Sequence, residues 1–320
     1  MSLLEIKDVN ISYHTPTKTV YAVQDVSLNV EEEDSVGIVG ESGSGKSTLA
    51  MGILRLLPEN ITEIEGQAVL NGKDLLSLSR KELNEVRWVD ISVVFQKAMN
   101  ALSPVHRIGE QMEDIYHVHF PNTPKAEVKK RIYELLKMVN LSERVYSSYP
   151  HELSGGMMQR VAIALSLIFK PKVLIMDEAT TALDVVTQTQ ILNEIMELEK
   201  TMKVARIMIT HDMSVVSSTC KHVVVMYAGR IMESGKVEDV LVNPKHPYTK
   251  GLMQSFPSFT GEKTNLRGIE GNLPDMSVLP TGCVFAPRCP FAKEHCFKEI
   301  PKLKEVKPGW NVACFETEGE

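Results

Sequence analysis

The run Gly40-Glu41-Ser42-Gly43-Ser44-Gly45-Lys46-Ser47-Thr48 has the residue types and spacing to hold a polyphosphate. Gly43 and Gly45 let the main chain curl, so that successive N–H groups converge on phosphate oxygens. A helix start just beyond adds unpaired donors and a positive dipole end. The Lys46 ammonium is placed to reach the β- and γ-phosphates, and the Ser47 hydroxyl to ligate Mg²⁺. Gly40, Ser42, Ser44 and Thr48 complete the cradle.

Further on, an apolar run ends in Asp177 and Glu178. Two adjacent acids at a buried strand end call for a cation and a proton-transfer role. Asp177 suits Mg²⁺, and Glu178 suits a general base that polarises the attacking water. Gln96 lies just past another apolar strand, where ligands bind in open α/β sheets. Ser154 reads as an N-cap, with Gly155 and Gly156 opening the first turn to a phosphate; taken alone, this is a weak anion site and more simply a capped helix. His211 at a strand end is a γ-phosphate contact or a structural histidine. Tyr13 is a base-stacking platform or a sheet residue. Cys283, Cys289, Cys296 and Cys314 follow the spacing C-x5-C-x6-C-x17-C. Four thiolates there make a site for an iron–sulfur cluster or for zinc. The tight knuckles of structural zinc sites are missing, which favours a larger cluster; unligated thiols or a disulfide stay open. Cys220 reads as packing, and His106, His117 and His119 as surface or packing residues.

These residues need elements to hold them. Residues 35–39 read as a buried strand before the glycine-rich run, and 49–57 as a helix after it. Residues 1–34 carry two or three strands, and 66–76 a strand with an Asn-Gly turn. A short polar helix follows at 79–86 and a strand at 91–95. Residues 97–149 change to a helical pattern, with helices over 105–119 and 125–140 between prolines. A helix over 159–169, a strand over 173–177, a helix over 185–198, a strand over 206–210 and a hairpin over 222–235 complete the order. Beyond 235 prolines become frequent and charges balance.

The composition sets bounds. The chain has 320 residues, 43% apolar and 24% charged, with net charge −6 and a pI near 5.9. A nucleic-acid-binding chain would carry a basic excess. No run resembles a signal peptide, and the longest apolar run is too short to span a bilayer. A cytoplasmic chain is expected, with any membrane spans supplied by other chains.

Over residues 1–235 the chain resembles the ATP-binding subunits of ABC transporters. The loop 40–48, Gln96, the run 153–157, the run 173–178, Ala182-Leu183-Asp184 and His211 carry the resemblance. The run 95–104, the run 246–252 and the cysteine-bearing tail look like the oligopeptide/dipeptide importer branch. Met157 and Ala179 depart from residues frequent in that family, and neither removes a ligand.

The resemblance implies an α/β fold: a RecA-like P-loop NTPase core with an antiparallel β subdomain, an inserted helical subdomain and a small Cys-rich C-terminal extension. It implies a nucleotide-binding domain over 1–235, with the helical subdomain at about 97–158, and an extension over 236–320 with a four-cysteine metal site. ATP and Mg²⁺ are the implied cofactors, with a [4Fe-4S] cluster or, alternatively, Zn²⁺. Mg²⁺ falls to Ser47, Gln96 and Asp177. Ser154, Gly155 and Gly156 complete the site of a partner subunit, Asp184 communicates across the dimer, and Tyr13 stacks on the base. Lys46, Gln96, Glu178 and His211 act on the γ-phosphate and water. The implied partners are a second ATPase subunit, like or unlike, two transmembrane permease subunits and, indirectly, an extracytoplasmic peptide-binding protein. The implied place is the cytoplasmic face of the membrane. A nickel or small-solute importer is the alternative cargo reading. A soluble ABC-type ATPase of DNA repair or translation would need basic patches, a tandem unit or a long coiled coil, none of which the sequence carries. A metal-sensing module centred on the tail is the third class.

Overall fold

The computed structural model describes residues 2–95, 102–179, 184–255 and 268–317. The chain forms two compact units, Met1–Ser77 with Met208–Glu320, and Leu78–Ile207.

The first unit holds an antiparallel sheet and a mixed one. In the antiparallel sheet, strand Ser2–His14 lies between Thr19–Glu31 and Thr62–Leu70, with the short Lys73–Asp74 at the edge. Alternation sets its register: Ile6 sits opposite Leu28 on one side and Ala68 on the other. The expected Asn-Gly turn is present, with Asn71 and Gly72 both at positive φ. The first 34 residues make two long strands, because bulges such as that between Ile6 and Val9 let one strand bend without ending.

In the mixed sheet, Ser35–Val39 runs parallel to His222–Tyr227, which pairs antiparallel with Arg230–Lys236. The hairpin turns at Ala228 and Gly229, both in the left-handed region. Two strands of the C-terminal region extend this sheet: Trp310–Val312 pairs with Arg230–Lys236, and Lys304–Lys307 with Trp310–Val312. The core joins both ends of the unit. Val39, Val225, Tyr227, Tyr248, Phe285 and Trp310 are all buried in one cluster, with Cys220 packed against it. Buried aromatics remove roughly 150–250 Å² each from water, so the C-terminal residues supply much of this core's stabilisation. Glu233 is fully buried and accepts from Trp310 Nε1 at 2.9 Å and from the main-chain N–H groups of Lys245 and His246. Burial pushes its carboxyl up.

The second unit pairs Ile91–Val94 parallel to Val173–Asp177, both strands largely buried and apolar as parallel strands require. Its helices are Arg80–Val86, Ile108–His119, Lys125–Met138, Gly155–Ser166 and Val185–Met202. Each buries an apolar stripe, such as Val128, Ile132, Leu135 and Leu136. His117 bonds the carbonyls of Glu113 and Thr123 at a helix end, so it is a packing residue. Strand Ala205–Ile209 carries the chain from this unit back into the first. No helix of the described residues is long and apolar enough to cross a membrane.

Asp34 and His222 pair at 2.9 Å beside the parallel strands. Burial pushes the Asp34 carboxyl up, but the hydrogen bond and charge of His222 outweigh it and hold the group below its usual range. The same hydrogen bond raises His222, against the opposing effect of burial. The His222 contribution is therefore complete below its unfolded value near 6.5 and fades as pH rises through its higher folded value; that of Asp34 fades only in acid. His222 is half exposed, so solvent screening limits the contribution to under about 1 kcal/mol. Denaturant titrations should show parent and His222→Gln differing more at about pH 6 than at about pH 9. A gap that widens with pH would refute this assignment.

Candidate functional site

The phosphate-loop residues lie between strand Ser35–Val39 and helix Lys46–Ile53. Gly40, Gly43 and Gly45 have φ of 148°, 81° and 97°. Two of these glycines are required twice over. A Cβ on Gly40 would stand 2.1 Å from the Met226 carbonyl oxygen, and one on Gly45 2.4 Å from that of Ala22. The helix starts at Lys46, earlier than the apolar pattern from 49 predicts. Gly45 in the left-handed region is its N-cap, and Leu49 N–H already donates to the Gly45 carbonyl at 2.9 Å. It stops at Leu54 because Arg55 takes positive φ. Its first turn carries no acidic side chain, so nothing there opposes an anion.

Lys46 is buried, and its ammonium donates to the carbonyls of Gly40 at 2.9 Å and Glu41 at 2.8 Å and to Ser44 Oγ at 3.3 Å. The charge is thus parked on the loop that would receive the phosphates. Tyr13, near the end of strand Ser2–His14, donates its hydroxyl to Thr48 Oγ1 at 3.3 Å. Long-range pairing therefore brings Tyr13 to the loop. In the same unit Thr210 N–H donates to the Ile38 carbonyl, setting the exposed His211 just past the strand that feeds the loop. Asp212 caps the helix Met213–Thr219 through Ser214 N–H.

The second unit positions the remaining predicted residues. Asp177 ends its strand and is buried; Glu178 follows, half-buried, at φ 47°. That backbone region is uncommon for a residue other than glycine, asparagine or aspartate, and such strain concentrates at functional positions. Ser154 caps helix Gly155–Ser166, its hydroxyl accepting from Met157 N–H at 3.3 Å, so this helix also starts earlier than its apolar stretch. A Cβ on Gly156 would meet Thr187 Cγ2 at 2.9 Å. Thr187 in turn donates from N–H and hydroxyl to Asp184, at 3.0 and 2.7 Å, and the N–H bond leads in holding the Asp184 carboxyl below its usual range. Asp184 and the Ser154–Gly156 helix start thus share a neighbourhood within the unit. Gln96, Ala182 and Leu183 lie outside the described residues.

The four C-terminal cysteines come from separate turns and line one apolar cavity, with Phe285 and Phe315. Burial pushes the Cys283 thiol up to about 11 and raises Cys289 and Cys314. No three His, Cys, Asp or Glu side chains among the described residues converge as ligands of a single ion.

Sequence reasoning gave no individual role to Glu41 or Tyr248, and did not single out Tyr227 or Arg288. Glu41 lies inside the loop, and its carboxylate pairs with Arg288 at 2.9 Å. A partner 247 residues away leaves no local signal.

Residues 23–181 match the family described as ABC transporter, and 232–296 that described as oligopeptide/dipeptide transporter, C-terminal region. The chain is 44% identical to the oligopeptide transport ATP-binding protein OppD of Escherichia coli K12, over 98% of this chain and 93% of that protein. It is 40% identical to the oligopeptide transport ATP-binding protein AppD of Bacillus subtilis 168, over 100% of this chain and 98% of the other. Among solved structures it is similar to the dimeric bacterial ABC transporter cassette MJ0796, with TM-score 0.66 and 30% identity, over 73% of this chain and 98% of that one. A post-hydrolysis dimer of MJ0796 bound to ADP and Pi aligns with TM-score 0.65 and 31% identity, over the same shares.

Proposed function

The chain belongs to the oligopeptide-transport branch of the ABC transporter ATP-binding proteins, and on that premise we propose that it binds and hydrolyses MgATP to power import of di- or oligopeptides through a membrane complex. The observation that carries this reading is the loop at Gly40–Thr48, with three positive-φ glycines and a buried lysine parked on its carbonyls.

In this reading the triphosphate takes the place of those carbonyls as the partner of Lys46. Loop N–H groups and the helix start neutralise its charge without reorganisation. Ser47, Gln96 and Asp177 offer a hydroxyl, an amide and a carboxylate, the hard oxygen donor types that suit Mg²⁺; together they would hold the ion, which would offset charge on the phosphates. Glu178 accepts a proton from the attacking water while His211 steadies the γ-phosphate. Tyr13 stacks on the base. Ser154, Gly155 and Gly156 face the nucleotide of a second ATPase subunit, and Asp184 answers across that contact. Two permease subunits carry the peptide, an extracytoplasmic binding protein delivers it, and this chain sits on the cytoplasmic face. Nucleotide state then biases an interface between two packings. Membrane vesicles holding this chain, its paired ATPase and the permeases, with MgATP enclosed and the binding protein outside, should accumulate labelled peptide. Uptake unchanged without ATP hydrolysis would overturn the reading.

We further propose that Cys283, Cys289, Cys296 and Cys314 hold an iron–sulfur cluster. Four thiols lining one apolar cavity support a thiolate-held group there, and a spacing without the tight knuckles of structural zinc sites favours a multi-atom group over zinc. Such a group would tie four turns of a loop-rich segment together. Protein purified without oxygen should be brown, and Cys289→Ser should lose the colour and unfold at lower temperature. Colourless parent protein with stoichiometric zinc would reverse the assignment.

A further inference from the structure

Glu41 is an unexpected residue in a phosphate cradle, because a carboxylate there repels a triphosphate. It is also tethered at its N–H, its carbonyl and its carboxylate. Its N–H donates to Tyr248 Oη at 3.0 Å. Its carbonyl accepts from the Lys46 ammonium at 2.8 Å. Its carboxylate accepts from Arg288 Nη1 at 2.9 Å.

Arg288 is itself fixed on every nitrogen. Nη1 also donates to Tyr227 Oη at 3.2 Å, Nε to the Glu270 carbonyl at 2.8 Å and Nη2 to that of Ile269 at 2.9 Å. Its side chain is 6% exposed, and the guanidinium lies over the Tyr227 ring at 5.5 Å. The Tyr227 and Tyr248 rings pack 4.7 Å apart. A guanidinium so held cannot follow a moving carboxylate, so it dictates where Glu41 sits. The segment it fixes also reaches the loop directly: Leu273 Cδ1 would lie 3.4 Å from a Cβ on Gly43.

We propose that Arg288 is a positioning residue for nucleotide binding: it fixes the Glu41 carboxylate and cancels its charge within the phosphate loop. The C-terminal region thereby sets the loop's affinity for ATP. This rests on the reading of the loop as the ATP site. Arg288 closes the turn Ala286–Arg288 and directly precedes Cys289, so the turn that grips Glu41 also lines the thiol cavity.

The role is tested by charge rescue on the full chain, with MgATP affinity from calorimetry and thermal unfolding recorded without nucleotide. Arg288→Gln leaves Glu41 uncompensated and should weaken MgATP binding about tenfold. Arg288→Lys keeps a charge but loses the fork, and should fall between. The double variant Glu41→Gln with Arg288→Gln should return to within about threefold of the parent, while Glu41→Gln alone binds at least as tightly as the parent. A double variant as weak as Arg288→Gln, or Glu41→Gln about tenfold weaker than the parent, would overturn the proposal by making the contact merely structural. Should Arg288→Gln not fold, the Glu41→Gln and Arg288→Lys affinities still decide by the same criteria. Failure of the ATP reading looks different, since the parent itself would then bind no MgATP.

Discussion

Replacing Glu178 by Gln should lower ATP turnover by about 10²–10⁴-fold while MgATP affinity changes by no more than a few-fold. The two side chains have nearly the same shape, so packing and main chain are kept. What is lost is the ability to accept a proton from the attacking water. Glu178 stands at φ 47° directly after the buried Asp177, so the strand end and the strained residue together set where its carboxylate points. Phosphate release and nucleotide titration on the same preparation separate the two quantities. A variant that turns over at the parent rate would remove Glu178 as the base. One that loses affinity and rate together would move the residue from proton transfer to binding.

Lys46→Ala should fail at the earlier step. Charge-assisted hydrogen bonds contribute about 1.5–3 kcal/mol each, so loss of the ammonium should weaken MgATP binding by about 10–100-fold and reduce hydrolysis at sub-saturating ATP at least as much. The nucleotide-free chain should change less. There the ammonium bridges Gly40, Glu41 and Ser44 of its own loop, which keeps its bends from the three glycines. Isothermal titration with unfolding curves would distinguish these effects. Unchanged affinity in a folded variant would contradict the placement of Lys46 at the β- and γ-phosphates.

Cargo chemistry is not assigned to any residue named above: the roles proposed for the phosphate loop, Asp177, Glu178 and His211 all concern nucleotide. Peptide as cargo comes from the family and its C-terminal region. The ATPase assignment comes from the family as well, and the residues named above carry its proposed steps.

Much of the site could be read along the chain because its causes are local. Gly40, Gly43 and Gly45 announce a tight curl by their type, and the structure places all three at positive φ. The apolar runs before Lys46 and before Asp177 are buried strands because continuous apolar residues fit only a doubly covered sheet. Ser154 and Asp184 act as N-caps, which their types and positions foretell. Two helices start a few residues before their apolar stretches, since first turns of Lys46-Ser47-Thr48 and Gly155-Gly156 carry no apolar periodicity.

Tertiary structure alone decided the rest. The pairing of Trp310–Val312 with Arg230–Lys236 makes the C-terminal region part of the first unit's sheet. Burial of Glu233 beneath Trp310, the gathering of four cysteines around one cavity and the grip of Arg288 on Glu41 follow from that pairing and the core beneath it. Torsional preference and side-chain periodicity act over a few residues, so the phosphate loop is legible in its own letters. Which distant charge neutralises Glu41 depends on strand order and packing, which no local stretch of this chain encodes.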